Sequence, residues 1–295
     1  MPNHRVSPTA EPFGPGSAVV VLGLASAIAW GAGDFGGGWA SRRAPVLGVS
    51  LVVQVVGMLV YVALAIVARE PIPTVATIAI SVAAGVVVTI GIVGLYHGLA
   101  VGRMGVVAPV TGLIAAVMPV VAGILRDGLP AAVVLVGIVL ALVAVVLVSR
   151  VPGTSGSRSG IELAIVAGVG IGAFNILAGE LPDGQVFGPL IIIKIAAATV
   201  IVAVLLVGRR SWRMPRRLVG IAIAVGLFDM VGNACYVLAT QAGRLDVAAT
   251  LSSLYPVTTI LLAVAFLGER VTRSHAVGIA AAVAAIVLIS AGSAG

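Results

Sequence analysis

The chain has 295 residues, of which 60% are hydrophobic and 9% are charged, whereas about 25% of residues are charged in ordinary soluble domains. Apolar runs recur from end to end, each long enough to cross a hydrocarbon core of about 30 Å, which excludes a soluble catalytic or nucleotide-binding domain of any size. The net charge of +7 comes mainly from arginines in short loops between these runs. That pattern orients membrane proteins and does not favour a nucleic-acid partner.

The apolar runs predict ten membrane-spanning helices, and hence an all-α integral membrane protein. In chain order the spans cover residues 17–40, 46–68, 75–101, 106–125, 130–149, 161–180, 187–207, 218–241, 246–267 and 274–294. The proline-rich residues 1–16 are predicted to form a disordered tail. Residues 150–160, rich in glycine and serine, are predicted to be a flexible linker. The predicted domains are therefore two five-helix units, 17–149 and 161–295.

The second unit repeats the first at a constant spacing of 141 residues. Gly31, Ala32 and Asp34 recur as Gly172, Ala173 and Asn175; Gly85 recurs as Gly226, Gly102-Arg103 as Gly243-Arg244, Ala108 as Ala249, Gly137 as Gly278, Leu147 as Leu288, and Ser149 as Ser290. Because each unit has an odd number of spans, the second unit must enter the bilayer from the opposite side. Two inverted halves that meet at mid-membrane are typical of secondary transporters.

The arginines test this inversion independently. Twelve of them share one predicted face: Arg42, Arg43, Arg103, Arg150, Arg158, Arg209, Arg210, Arg213, Arg216, Arg217, Arg270 and Arg273. The other face has Arg5, Arg69, Arg126 and Arg244. The bias changes side between the two units, as opposite insertion requires. Applied literally, the positive-inside rule then places both termini outside the cytoplasm.

Several motifs resemble those of a known family. They are the segment Trp30–Asp34 in span 1, the run Gly-Arg-Leu-Asp-Val-Ala-Ala at 243–249, the mid-span Tyr255-Pro256, and Leu267-Gly268-Glu269 at the end of span 9. Together with the two five-helix halves, they resemble the EamA type of the drug/metabolite transporter superfamily. The resemblance covers nearly the whole chain after residue 16.

This resemblance implies a multi-pass carrier of small metabolites or toxic compounds in the inner (plasma) membrane, usually an exporter, with a cavity between the halves. The first half departs from the pattern, because it has Leu125-Arg126-Asp127-Gly128 where the second half has Gly-Glu. The family also places both termini in the cytoplasm, which disagrees with the arginine distribution. The membrane orientation therefore stays open.

Ionisable residues inside the spans are candidates for function, because a charge at the bilayer centre costs at least about 2.5 kcal/mol. Asp229, near the middle of span 8, is interpreted as a carboxylate that binds a cationic group or carries a proton. The alternative is a structural hydrogen bond to a neighbouring helix. Asn233, one turn later, would extend the same polar patch.

Asp34 and Asn175 occupy matching positions of the repeat, so pseudo-symmetry predicts related sites for them. A salt bridge from Asp34 to Arg42 or Arg43 is the competing interpretation. Lys194 either reaches the interface or pairs with Asp229, Asp34 or Glu180; in a cavity it would favour anionic or zwitterionic substrates. Further candidates for substrate contacts are Trp30, Gln54, Tyr236, Gln241 and Tyr255, and Pro119 and Pro256 are predicted to bend spans 4 and 9.

The pattern as a whole predicts a secondary active transporter that exports small metabolites or drugs by alternating access, driven by protons or by the substrate gradient. A passive facilitator or channel is the alternative. An intramembrane enzyme is disfavoured, because the chain has neither a paired His-Glu metal motif nor Gly-x-Ser-x-Gly. The expected partners are a small-molecule substrate, membrane lipid and protons, with no cofactor or metal, in a monomer or homodimer.

Overall fold

The computed structural model describes residues 15–101, 104–148, 160–267 and 272–293. Within these ranges the chain forms eleven helices and no strands: α1 (Pro15–Ser41), α2 (Val46–Ala68), α3 (Val75–Val101), α4 (Met104–Asp127), α5 (Ala132–Val148), α6 (Ile161–Gly179), α7 (Phe187–Val207), α8 (Arg216–Ala242), α9 (Leu245–Ser252), α10 (Tyr255–Leu267) and α11 (Arg273–Ser293). Most of the predicted tail and linker lie outside the described residues, as do Arg103, Arg150, Arg158 and Arg270.

The helices have the length and composition of membrane spans. Nine segments of the described chain are long and apolar enough to cross a bilayer, with α9 and α10 counted as one segment, and α5 is a shorter apolar helix. Valine and isoleucine are abundant in them, although both favour strands in water. In lipid the backbone must satisfy its own hydrogen bonds, and a helix does so within one segment.

The predicted ninth span, 246–267, is two helices rather than one. Helix α9 ends at Ser252 and α10 begins at Tyr255, so Pro256 occupies the first turn of α10, where its missing N–H breaks no helical hydrogen bond. The break is held against α1, because the Thr259 hydroxyl donates to the Gly31 carbonyl at 3.1 Å. In contrast, α4 continues through Pro119.

The two halves of the chain pack mainly on each other. Helix α1 packs on α8, α2 on α7, α3 on α6, α4 on α6 and α9, and α5 on α11. Small residues let these helices approach closely. At the contact of α3 with α6, a Cβ on Gly170 would lie 2.7 Å from the Cα of Gly91, so neither backbone leaves room for a side chain there.

The two ends of the bundle carry different loops. We call one the tied end; it contains residues 69–74, 128–131, 180–186 and 243–244, which are joined by the polar contacts described below. The opposite end contains residues 42–45 and 208–215, and we call it the arginine end. The Trp212 carbonyl lies against Gly48 there, which brings the start of α2 beside the α7–α8 loop.

Candidate functional site

A cavity of about 110 Å³ lies between the halves. It has walls from α1, α2, α3, α4, α6, α8 and α10. Its polar lining consists of Asp34, Ser50, Gln54, Asn175, Asp229, Asn233, Ser253 and Tyr255. The volume is enough for several water molecules or a small organic molecule. Because Val49 lines it three residues after the start of α2, the cavity extends from mid-membrane towards the arginine end.

A buried ion pair lies at one side of this cavity. The Lys194 ammonium on α7 contacts Oδ2 of Asp229 on α8, and Asn233 Nδ2 donates to Oδ1 of the same carboxylate at 3.1 Å. The Lys194 side chain is 4% exposed, whereas that of Asp229 is 22% exposed. The Asp229 carboxylate therefore faces the cavity. The Lys194 ammonium, which lies outside the cavity lining, neutralises its charge.

The space for Lys194 depends on a glycine of α2. A Cβ on Gly57 would lie 3.0 Å from Lys194 Cε and 3.7 Å from its Nζ. The absence of a side chain at Gly57 thus lets a lysine stem cross between α2 and α7 to reach α8. The sequence offered Asp229, Asp34 and Glu180 as partners of this lysine, and the fold selects Asp229.

Asp34 has a different environment. It lines the cavity from α1, and within the described residues it has neither a hydrogen bond nor an ion pair; the carboxylate of Asp229 acts on it electrostatically. Arg43 instead donates to the Trp39 carbonyl at 3.0 Å and lies over the Trp39 ring. A half-buried carboxyl without a partner is costly when ionised, so Asp34 is the group best placed to take up a proton or a cation.

Asn175, the repeat mate of Asp34, offers a second unpaired oxygen. Its side chain is buried and lines the cavity. Its Nδ2 donates to the Ala115 carbonyl at 3.5 Å, while its Oδ1 has no hydrogen-bond partner. The buried hydroxyl of Ser50, also in the lining, has none either. Buried polar atoms are nearly always hydrogen-bonded, so an unpaired acceptor in a cavity wall indicates a place for a ligand donor.

Aromatic residues support these polar groups. The Trp30 ring lines the cavity and packs against Tyr236, with ring centroids 5.3 Å apart. The Tyr236 hydroxyl donates to the backbone carbonyl of Asn175 at 2.9 Å. A methyl group on Gly232 would clash with the Trp30 indole, 2.7 Å from its Nε1. Gly232 and Tyr236 on α8 therefore fix the indole on α1.

The sequence-predicted candidates separate into three groups. Seven line the cavity: Trp30, Asp34, Gln54, Asn175, Asp229, Asn233 and Tyr255. Lys194 and Tyr236 lie behind that lining and contact residues that form it. Gln241 lies at the tied end, where its Nε2 donates to the carbonyls of Pro182 and Gln185, so it does not contribute to the cavity.

Several residues of this region were not predicted from the sequence. Phe174, Ser50 and Ser253 line the cavity, and the buried Tyr61 donates to the Met230 carbonyl at 2.6 Å, beside Asp229. Ser50 had a usable signal, because it lies four residues before Gln54 and therefore on the same face of α2. The others carry no polar pattern that separates them from ordinary core residues.

The lining follows the spacing of the repeat. Five pairs of lining residues are 141 positions apart: Trp30 with Ile171, Gly33 with Phe174, Asp34 with Asn175, Val88 with Asp229, and Ile92 with Asn233. Equivalent positions of the two units thus face the same space, although their side chains differ in polarity.

Polar contacts join the loops of the tied end across the two halves. The Glu70 carboxylate accepts hydrogen bonds from the backbone N–H groups of Val186, Phe187 and Gly188 at 2.8–3.1 Å. These groups lie at the N-terminus of α7, where a negative charge is favourable. Arg126 also pairs with Glu180 at 3.1 Å, but both side chains are about half exposed, so this pair contributes about 1 kcal/mol at most.

Arg244 forms the remaining tie. It donates to the carbonyls of Asp127 and Gly128 at the end of α4 and pairs with the buried Asp246 at 2.9 Å. The side-chain hydrogen bond to Asp246 raises the pKa of the Arg244 guanidinium above its usual value, so this tie is charged at any physiological pH.

Among the residues that the structure describes, no group of three or more His, Cys, Asp or Glu is arranged to hold a metal ion.

Comparison with known proteins shows a family likeness in the second half of the chain. Residues 158–291 match the EamA-like transporter family, which is part of the drug/metabolite transporter superfamily. No curated protein matches the chain. A solved structure described as "Crystal structure of protein" is 15% identical, with a TM-score of 0.73 over 92% of this chain and 96% of that chain, which shows a shared fold. The apolar helices and this match together indicate a multi-pass membrane protein that is similar to transporters.

Proposed function

We propose that this chain is a secondary active transporter that exports small metabolites or drugs from the cytoplasm across the inner (plasma) membrane. The observation that carries the proposal is the cavity between the two halves, which holds a buried ion pair, an unpaired carboxyl group and an unpaired amide oxygen. Buried polar groups of this kind are expensive inside a membrane and mark substrate or proton pathways.

The two halves are proposed to be inverted repeats. The packing of the helices supports this, because exchanging the halves converts the contact of α1 with α8 into that of α6 with α3. The loops support it as well. The tied end contains the loop after the second helix of the first half and the loop after the first helix of the second half, joined by Glu70. Opposite insertion of the two halves would place these two loops at the same end, as observed.

Alternating access is proposed to open and close the two ends in turn. The ties of Glu70, Arg126 and Arg244 hold the tied end together, while the cavity reaches towards the arginine end. The opposite state requires these ties to break. They consist of a few hydrogen bonds near the surface, where water can replace each partner, so their exchange costs little.

Coupling to protons is proposed to involve the carboxyl groups in the cavity. Asp34 has no compensating partner among the described residues, so its ionised form is stable only beside a cation or water. A proton on this group and a cationic group of the substrate are then mutually exclusive. Asp229 remains paired with Lys194 and Asn233 and holds the local charge balanced during the exchange.

Reconstitution into liposomes tests this function. A carrier accelerates uptake of labelled substrate when unlabelled substrate is present inside, whereas a channel does not. The substrates for the assay come from a thermal-shift screen of purified protein against metabolites and cationic drugs. We expect counterflow, and accumulation that follows an imposed pH gradient. Flux without trans-stimulation would establish a channel. Counterflow without accumulation along the gradient would establish a passive facilitator and remove proton coupling.

Two variants identify the responsible carboxyl group. Asp34→Asn is expected to abolish accumulation driven by the pH gradient while leaving the fold intact, because this side chain makes no hydrogen bond or ion pair within the part of the chain that the structure describes. Asp183→Asn, an exposed residue of the α6–α7 loop, is the matched control and should transport as the native protein does. Unchanged pH-driven accumulation in Asp34→Asn would exclude this residue from coupling.

A further inference from the structure

We propose that the cavity selects protonated primary or secondary amines with a compact apolar body, and discriminates against quaternary ammonium compounds and zwitterions. This inference rests on the proposed transport function and specifies its substrate class. Three features of the cavity carry it: its charge, its unpaired acceptor and its aromatic wall.

The charge of the cavity favours a cation. Among the described residues, the lining contains the carboxyl groups of Asp34 and Asp229 and neither lysine nor arginine. Lys194 neutralises Asp229 from outside the lining, with its own side chain 4% exposed. One negative charge, that of Asp34, is left uncompensated. An ammonium group would balance it, whereas the carboxylate of an amino acid would meet like charge in a low-dielectric space.

The unpaired acceptor favours a ligand with N–H groups. Because Asn175 Nδ2 donates to the Ala115 carbonyl at 3.5 Å, we assign Oδ1 as the amide atom that a ligand would contact. Oδ1 has no partner, and Asn175 is 5% exposed. In the proposed complex, an ammonium with hydrogens pairs with this oxygen and with Asp34, since both residues line the cavity. A trimethylammonium group fills the same space without a donor and leaves the oxygen unpaired.

The wall of the cavity accommodates an apolar body next to this polar end. Trp30 and Phe174 line it together with aliphatic side chains of α2 and α3. Faces of aromatic rings also attract cations, with or without hydrogens. The aromatic wall therefore explains affinity for amines in general, and the selection against quaternary compounds depends on Asn175.

Equilibrium binding to the solubilised full-length protein tests the proposal. Isothermal titration compares 2-phenylethylammonium, its N,N,N-trimethyl analogue and phenylalanine, which share one aromatic body. We expect the primary amine to bind at least about tenfold more tightly than either of the others, because they leave an acceptor unpaired or add a like charge. Equal or tighter binding of the trimethyl compound, or of phenylalanine, would overturn the proposal.

Variants assign the effect to particular atoms. Asn175→Leu should bring the two amines to within about threefold of each other, and Asp34→Asn should weaken both by about tenfold or more. Gly232→Ala should weaken both by displacing the Trp30 indole. Gly220→Ala on the same helix, where a Cβ would meet nothing within 4 Å, is its control. Preserved discrimination in Asn175→Leu would contradict the assigned role of Oδ1.

The same experiment separates this inference from the proposed function. If the native protein discriminates as expected but liposomes show no counterflow of 2-phenylethylamine, the transport function fails and the binding specificity stands. If counterflow occurs with another class of compound and neither amine binds, the specificity fails and transport stands. Should Asn175→Leu not fold, the comparison of ligands on the native protein decides by itself.

Discussion

The ion pair between Lys194 and Asp229 predicts a large and unequal response to single substitutions. In Asp229→Asn the Lys194 ammonium keeps its charge but loses its only ion-pair partner in the described chain, at 4% exposure. Removing one member of a buried pair costs about 3–5 kcal/mol. We expect this variant to lose that amount of its free energy of unfolding.

The reverse substitution should cost less. In Lys194→Met the carboxylate of Asp229 retains 22% exposure to the cavity and its hydrogen bond from Asn233. It loses one charge-assisted hydrogen bond, worth about 2 kcal/mol. The double variant leaves no unpaired charge at positions 194 and 229, and replacing buried ion pairs by neutral groups is often neutral. Its stability should therefore lie within about 1 kcal/mol of the native value.

Reversible unfolding in mixed detergent micelles, followed by circular dichroism, measures this cycle. The expected coupling free energy is about 4 kcal/mol or more. The exposed pair Arg126 and Glu180 supplies the control cycle, because half-exposed pairs couple by about 1 kcal/mol or less. Additive effects at Lys194 and Asp229, or a larger loss in Lys194→Met than in Asp229→Asn, would refute the burial argument.

Two further predictions concern the unpaired oxygen and the tied end. Asn175→Leu removes a buried acceptor that has no partner and one long hydrogen bond, from Nδ2 to the Ala115 carbonyl at 3.5 Å. The two effects oppose each other, so its free energy of unfolding should stay within about 1 kcal/mol of the native value. Asn233→Leu loses two bonds to Asp229 and should lose about 2 kcal/mol. A strongly destabilised Asn175→Leu would mean that Oδ1 is paired in the folded protein. Glu70→Gln places an NH₂ or an uncharged oxygen against three N–H donors at the start of α7, so it should loosen the tied end by about 1–2 kcal/mol. Maleimide labelling of a cysteine at Gln185, in a Cys235→Ser background, should then become faster, and an unchanged labelling rate would show that Glu70 does not hold this end together.

Span boundaries could be predicted from the sequence because a bilayer imposes a minimum apolar length and polar loop residues end each run. The predicted spans 46–68, 75–101 and 187–207 coincide with α2, α3 and α7. The sequence predicted a bend at Pro256 but not the full break between α9 and α10 at Ser253 and Leu254, because the segment Leu245–Phe266 as a whole is apolar enough to be a single span. Hydropathy measures the preference for lipid and is insensitive to one missing turn of helix.

Membership of the polar cluster was predictable, but its pairing was not. Asp229, Asn233 and Lys194 stand out as costly residues in apolar segments, so composition alone selects them. Which carboxyl meets Lys194 depends on the rotation and depth of α7 against α8, and on the space left by Gly57 on a third helix. Likewise, the Asn175 oxygen lacks a partner because of how the helices around the cavity pack together. The spacing of residues along the chain does not predict this.

The repeat spacing also explains where the charge lies in the cavity. Equivalent positions of the two units face one space, yet Asp229 and Asn233 correspond to Val88 and Ile92, and Lys194 corresponds to Val53. Asp229, Asn233 and Lys194 therefore come from the second unit, and the equivalent positions of the first unit are aliphatic. Asp34 is the exception, because it is a charged residue of the first unit. The equivalent residue of the second unit, Asn175, has the same shape but no charge. A ligand placed between them meets one charged and one neutral acceptor, which is the arrangement that orients an ammonium group and leaves the apolar wall for the rest of the molecule.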